Sequence, residues 1–195
     1  METKRLIIVA VGGQGNLLAS KVLGEAALAA GIPVRMSEIH GMAQRGGVVE
    51  SSLVFGEAQS PIISDGEADA VVGFEPLETL RALTKCNRDT AVITNLAPLP
   101  PFTVAIGRGT YPDIGLIQEK IRSRVGRLIS LDAVTLARSA GSVLAVNIVL
   151  LGALIRAEIL PLTAEGVRDT IRHRTKAAFV EANLKAFDLG FAQAA

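Results

Sequence analysis

Residues 6–15, Leu6-Ile7-Ile8-Val9-Ala10-Val11-Gly12-Gly13-Gln14-Gly15, constrain the fold of this chain more than any other stretch. A continuous apolar and β-branched run is the pattern of a strand covered on both faces. Helical spacing follows it: Leu18, Val22, Ala26 and Ala29 form one stripe, and Gly31 with Pro33 closes the segment. A buried strand, a glycine turn and an amphipathic helix in succession open an α/β sheet. The pattern then recurs. Strands are predicted at 33–37, 48–55, 69–74, 91–94 and 127–131, and Phe102 to Ile106 continues a β pattern after a proline-rich turn. Helical spacing falls after Pro76 and over 114–125, and Asp132 is placed to cap the segment that follows it. The remainder reads as helical over 143–155, 163–174 and 176–189. The expected fold is a Rossmann-like three-layer α/β sheet with helices on both faces and a helical C-terminal region, one domain over residues 1–195.

Composition removes several classes of function. A formal net charge of +1 leaves no general electrostatic case for nucleic acid or acidic membranes. Aromatic residues are only 4%, so stacking platforms for bases are poorly supplied. Arg168, Arg172, Arg174 and Lys176 are the one basic stretch, and such a run is ordinarily a solvated helical face. The longest apolar stretch, Val143 to Ile155, is shorter than the about 20 residues a membrane-spanning helix needs. It reads as a helix buried inside the protein or beneath a partner subunit. The N-terminal apolar run is too short for a signal-peptide core, and no small-residue cleavage site follows it. Cys86 is the only cysteine, so this chain cannot alone ligate an iron–sulfur cluster or form an internal disulfide. That usage fits a cytoplasmic location. Lys85 beside Cys86 is of a kind that lowers a thiol pKa, but with no resolving cysteine or nearby histidine Cys86 reads as an ordinary thiol.

Two polar glycine segments carry the functional signal. Gly12-Gly13-Gln14-Gly15 lies where a dinucleotide fingerprint would, between strand and helix, with Glu38 at the place of a ribose-binding acid. Ala10 occupies the first glycine position of that pattern. Phosphate binding and a tight turn that only permits close packing both remain open. The second segment, Glu38-Ile39-His40-Gly41-Met42-Ala43-Gln44-Arg45-Gly46-Gly47, sets an amide and a planar guanidinium among glycines, a combination suited to an anion or a partner's backbone. Arg45 either holds that anion or pairs with Glu38 or Glu50. His40 is a hydrogen-bonding post or an acid–base group. Glu75 follows a buried strand directly, on the edge where ligands bind, although a helix N-terminus also favours a carboxylate there. Asn147, the strongly polar residue of the 143–155 helix, either fixes its register or reaches a neighbouring subunit. No nucleophile–base arrangement, metal-ligand spacing, P-loop or thiamine-type Gly-Asp-Gly segment is present, so no catalytic residue and no metal ligand are assigned to this chain.

Taken together, Val11-Gly12-Gly13-Gln14-Gly15, the run from Glu38 to Gly47, Glu75-Pro76-Leu77-Glu78 and Asn147 to Leu154 resemble the gamma-type domain of 2-oxoacid:ferredoxin oxidoreductases, most of all the small beta subunit of the indolepyruvate branch. The resemblance runs from about Leu6 to Leu189. It implies a subunit of a complex that decarboxylates a 2-oxoacid oxidatively, reduces ferredoxin and forms an acyl-coenzyme A. It further implies a large alpha subunit carrying thiamine diphosphate, magnesium and iron–sulfur clusters, with coenzyme A as co-substrate and no cofactor held by this chain alone. Gly12, Gly13, Gln14, Gly15, Gln44, Arg45, Gly46 and Gly47 are the implied cofactor-binding positions. His40, Gly41, Met42, Glu75 and Asn147 are the implied site edge or subunit interface. The competing expectation is a free-standing nucleotide-binding (NAD) domain. A nucleic-acid module rests on the basic stretch alone. An apolar surface, including part of the 143–155 helix, is expected to await a partner.

Overall fold

The computed structural model describes residues 2–41 and 47–194, without the side chain of Ala105. Six strands form one sheet: β1 (Lys4–Val11), β2 (Val34–His40), β3 (Val48–Phe55), β4 (Ala70–Gly73), β5 (Ala91–Asn95) and β6 (Arg127–Leu131), in the order β2-β3-β1-β4-β5-β6. β1, β4, β5 and β6 are parallel, whereas β3 runs antiparallel to both β1 and β2. The helices are α1 (Asn16–Ala29), α2 (Pro76–Arg81), α3 (Phe102–Ala105), α4 (Ile114–Arg122), α5 (Ala133–Ala140), α6 (Val146–Arg156), α7 (Ala164–Arg174) and α8 (Ala177–Gln193).

Alternation along β1 divides the interior into two cores, because successive side chains of a strand point to opposite faces. Leu6, Ile8 and Ala10 join the core packed under α1, α5, α6, α7 and α8, and Ile7 and Val9 join the one under α2 and α4. The three-layer expectation is met, with the helical C-terminal region covering one face. Ala10 is a fully buried strand residue paired with Val49, which explains the missing glycine of the fingerprint: the strand runs on through Val11 before the turn begins.

Three expectations change. The 102–106 segment is not a strand but the short helix α3, which starts after Pro101 and closes with an Ile106 N–H to Phe102 carbonyl bond of 3.0 Å. Phe102 and Ile106 both face solvent, so a strand here would have had no apolar face to bury. β2 extends past Ser37 to His40, which puts His40 on an edge strand and not in a loop, and Glu38 within that strand and not at its end. The 143–155 helix opens as a 3-10 turn over Val143–Ala145 before α6 begins. The body of α6 lies inside the chain, and only that opening turn leaves Val143 and Leu144 in solvent.

Candidate functional site

Strand register assembles the site. Val11 of β1 pairs with Val48 of β3, and His40 of β2 pairs with Val49, so two glycine segments far apart in sequence meet on the carboxyl edge of the sheet. The Gly12 N–H donates to the Gly47 carbonyl at 2.8 Å, and the Gly41 N–H to the Val48 carbonyl at 2.8 Å. Gly12, Gly13, Gln14, Gly15, His40, Gly41 and Gly47 therefore share one edge. Met42, Gln44, Arg45 and Gly46 lie outside the described residues.

Amide side chains knit the strand ends together. Gln14 accepts from the Val11 N–H at 2.8 Å and donates to the Phe74 carbonyl at 3.3 Å, bridging β1 to β4. Asn95 donates to the same carbonyl at 3.2 Å and accepts from the Ala133 N–H at 3.1 Å, joining β4, β5 and α5. Asn147 donates to the Gly15 carbonyl at 3.2 Å, which ties α6 to the glycine turn and accounts for a polar residue in an apolar helix. Gly15 is required there twice over: its φ is +84°, and a Cβ would lie 2.6 Å from the Asn147 amide nitrogen. Gly15 caps α1 without any side-chain bond, and the first turn of α1 has no acidic residue. The free N–H groups of that turn and the helix dipole thus suit an anion.

Two cavities flank this turn. One, of about 570 Å³, lies between the turn, the β5 loop and the start of α6, and is walled by Gln14, Asn95, Leu99, Leu144 and Asn147 among others. The other, of about 440 Å³, lies on the β2 side, with Asn16, Glu38 and His40 in its wall. The His40 Nε2 sits 3.3 Å from a Glu38 oxygen. Buried Asn16 donates to the Val49 carbonyl at 3.1 Å, while its own oxygen has no partner among the described residues. Carboxylate and amide oxygens make this second cavity unfavourable for phosphate, so an anion is better served on the α6 side of the turn.

Glu75 is structural. Its carboxylate, 1% exposed, caps α2 through the Glu78 N–H at 2.9 Å, accepts from the Leu99 N–H at 3.2 Å, and takes the Tyr111 hydroxyl as a further donor. Burial, and then this bond to Glu75, pushes the Tyr111 phenol above its ordinary range. Glu78 is also buried, and its carboxyl is held above the usual value by burial first, opposed by Arg81 and reinforced by Glu75. A carboxyl raised on folding contributes stability that is present below its unfolded pKa and lost as pH rises through the folded one. Glu78→Gln is therefore expected to gain stability relative to the parent chain as pH rises from the ordinary glutamate range toward neutrality, read from paired urea unfolding curves. A constant difference across that window would remove the buried-charge cost.

Sequence reasoning passed over Asn16, Asn95 and Tyr111. Asn95 directly follows the predicted 91–94 strand and Asn16 directly follows the glycine turn, so one is a polar residue at a strand end and the other at a helix start, where partners are needed. Tyr111 left no such signal beyond being the only tyrosine. Cys86 is an unactivated thiol: burial pushes it up to about 12, while Lys85 turns to the Ile63 carbonyl and Asp65. The basic stretch is largely neutralised by ion pairs: Arg168 with Asp188, Arg172 with Asp169 and Glu165, and Arg174 with Glu25. Among the described residues no three His, Cys, Asp or Glu side chains group as metal ligands, and no helix is long and apolar enough to cross a membrane.

The antiparallel β2–β3 pair beside β1 sets this sheet apart from a dinucleotide-binding unit, in which β2 would lie parallel and next to β1. The domain is thus of the α/β class, with paired glycine segments on the carboxyl edge of a mixed sheet. The chain belongs to the pyruvate ferredoxin/flavodoxin oxidoreductase family, whose model matches residues 5–193. It is 41% identical over 192 residues to the indolepyruvate oxidoreductase subunit IorB of Pyrococcus horikoshii, covering 97% of this chain and 95% of that one. The pyruvate oxidoreductase subunit PORC of Thermotoga maritima has the same fold, with a TM-score of 0.75 at 21% identity and coverage of 98% of this chain and 97% of that one. The 2-oxoglutarate:ferredoxin oxidoreductase of Magnetococcus marinus matches with a TM-score of 0.75 at 18% identity, over 100% of this chain but only 31% of the longer one.

Proposed function

We propose that this chain, one domain over residues 1–195, is the small subunit of a thiamine-diphosphate-dependent 2-oxoacid:ferredoxin oxidoreductase acting in the cytoplasm on indolepyruvate or a related aryl pyruvate. The observation that carries this reading is the 41% identity, across 97% of the chain, to a relative named as an indolepyruvate oxidoreductase subunit. The donor set agrees with it. One partly buried thiol with a raised pKa does not fit an iron–sulfur cluster, so the clusters belong to a large alpha subunit, together with thiamine diphosphate and magnesium. Those groups supply the decarboxylation and the electron path to ferredoxin.

This chain's part is to shape the edge at which coenzyme A enters. The uncapped first turn of α1, with Gly12, Gly13, Gln14 and Gly15, fits a phosphate group of coenzyme A. We assign Gln44, Arg45, Gly46 and Gly47 to the same ligand, with Arg45 as the anion contact. His40, Gly41 and Met42 are assigned to the border of this edge toward the partner, and buried Glu75 and Asn147 support that border from inside the chain. Turnover is expected only in the complex.

The test is anaerobic reconstitution with the large subunit, following dye reduction driven by indolepyruvate and coenzyme A. Activity that requires both chains and both substrates supports the reading. A chain that binds NAD by itself and yields no such activity would overturn it. Within an active complex, Arg45→Ala should raise KM for coenzyme A about tenfold, an effect of about 1.4 kcal/mol, with the melting temperature of the isolated chain unchanged. Unaltered kinetics would remove Arg45 from the site.

A further inference from the structure

The cavity of about 570 Å³ shares Leu18, Leu144 and Asn147 with a neighbouring one of about 250 Å³ that reaches Phe179, Arg174 and Lys176. Along the joined surface run Leu99, Val143, Leu144, Leu18 and Phe179. Leu144 is 80% exposed, Val143 49% and Phe179 47%. Single apolar residues on a surface are ordinary, whereas a contiguous run of them marks an interaction site.

Three amides of this crescent are already engaged. Gln14, Asn95 and Asn147 each direct an amide N–H at a main-chain carbonyl. Beyond the glycine turn, which is left free to serve an anion, the wall presents mainly hydrocarbon and so suits an apolar segment. Charge settles the character of one end. The lining of the two cavities includes no carboxylate, and its two formal charges, Arg174 and Lys176, are both positive and lie beside Phe179. Arg174 is paired with Glu25. Lys176 makes no ion pair among the described residues, and it stands at the N-terminus of α8, whose first turn contains no acid.

We propose that this crescent is the docking surface for the large subunit, which lays an apolar segment along Leu99, Leu144 and Phe179 and sets a carboxylate against Lys176. The proposal rests on the reading of this chain as a small subunit. Burial of an exposed apolar run gives the affinity, and the single unpaired cation fixes direction.

The experiment is titration of the purified, cluster-loaded large subunit against the small chain and its variants, with melting temperatures confirming that each variant is folded. Leu144→Glu should weaken binding by about 100-fold, because a charge would be buried without a partner. Lys176→Glu should weaken it about tenfold and Lys176→Arg by no more than about twofold. Wild-type affinity for the large subunit that survives Leu144→Glu overturns the proposal and leaves the functional reading standing. A Lys176→Glu variant that binds normally overturns the acidic contact. An isolated chain that sediments as a dimer, and as a monomer after Leu144→Glu, assigns the crescent to a second copy and overturns the proposal. A wild-type chain with no affinity for the large subunit removes the functional reading and this surface together.

Discussion

Gly190→Ala is expected to cost about 3 kcal/mol of stability, the upper end of the overpacking range, or to prevent folding outright. α6 and α8 cross with almost no space between their backbones. A Cβ on Gly190 would lie 1.9 Å from the Val149 carbonyl oxygen, and one on Gly152 would lie 2.0 Å from the Phe187 carbonyl oxygen. Helix propensity argues the other way, since alanine in a helix interior is favoured over glycine by about 1 kcal/mol. Packing wins because the obstructing atoms are backbone, held by helical hydrogen bonds, and cannot rotate aside. The helices would have to separate, and Val149, Leu150, Leu151 and Phe187, all fully buried, would lose contact at once. Gly152→Ala should behave in the same way. Gly24→Ala supplies the contrast: its Cβ meets only the sulfur of Met36, the far end of a flexible side chain, so the propensity gain should nearly offset the contact. Urea midpoints read all three. A Gly190→Ala chain as stable as the parent would mean that the two helices do not approach as described.

The sequence reveals the strands well and their arrangement poorly, for a physical reason. Leu6–Val11 is legible because a strand covered on both faces needs apolar residues throughout, and the 48–55 strand matches β3 to the residue. Nothing local records that β3 inserts between β1 and β2, since pairing depends on partners distant in sequence. That insertion brings Gly47 against Gly12, so the meeting of the two glycine segments is a tertiary fact that no spacing encodes. The 102–106 segment misleads because alternating apolar residues imply a buried face, while Phe102 and Ile106 in fact point into solvent. α6 is the opposite case. Its apolar residues correctly signal burial, and only the fold identifies α8, from the same chain, as the covering element.

Glu75→Ala is the second large effect expected, a loss of about 3 kcal/mol accompanied by loosening of the wall of the candidate site. The carboxylate serves three donors from three places: the Glu78 N–H at the start of α2, the Leu99 N–H in the β5 loop and the Tyr111 hydroxyl ahead of α4. An N-cap alone contributes about 1 kcal/mol, and bonds to a charged acceptor about 1.5–3 kcal/mol each, with part of the sum recovered as water enters. Glu75→Gln should rescue little, because an amide NH₂ would face an N–H donor where an oxygen is needed. Tyr111→Phe removes one of the three donors and should cost only about 1–2 kcal/mol. The distinguishing readout is hydrogen exchange at the Leu99 amide, which the carboxylate protects and which sits beside the cavity of about 570 Å³. If Glu75→Ala accelerates exchange at Leu99 while β1 and β4 keep their protection, the residue acts as a clamp on the site's wall. Unchanged exchange at Leu99 would show that the β5 loop is held by its own packing and that Glu75 does no more than cap α2.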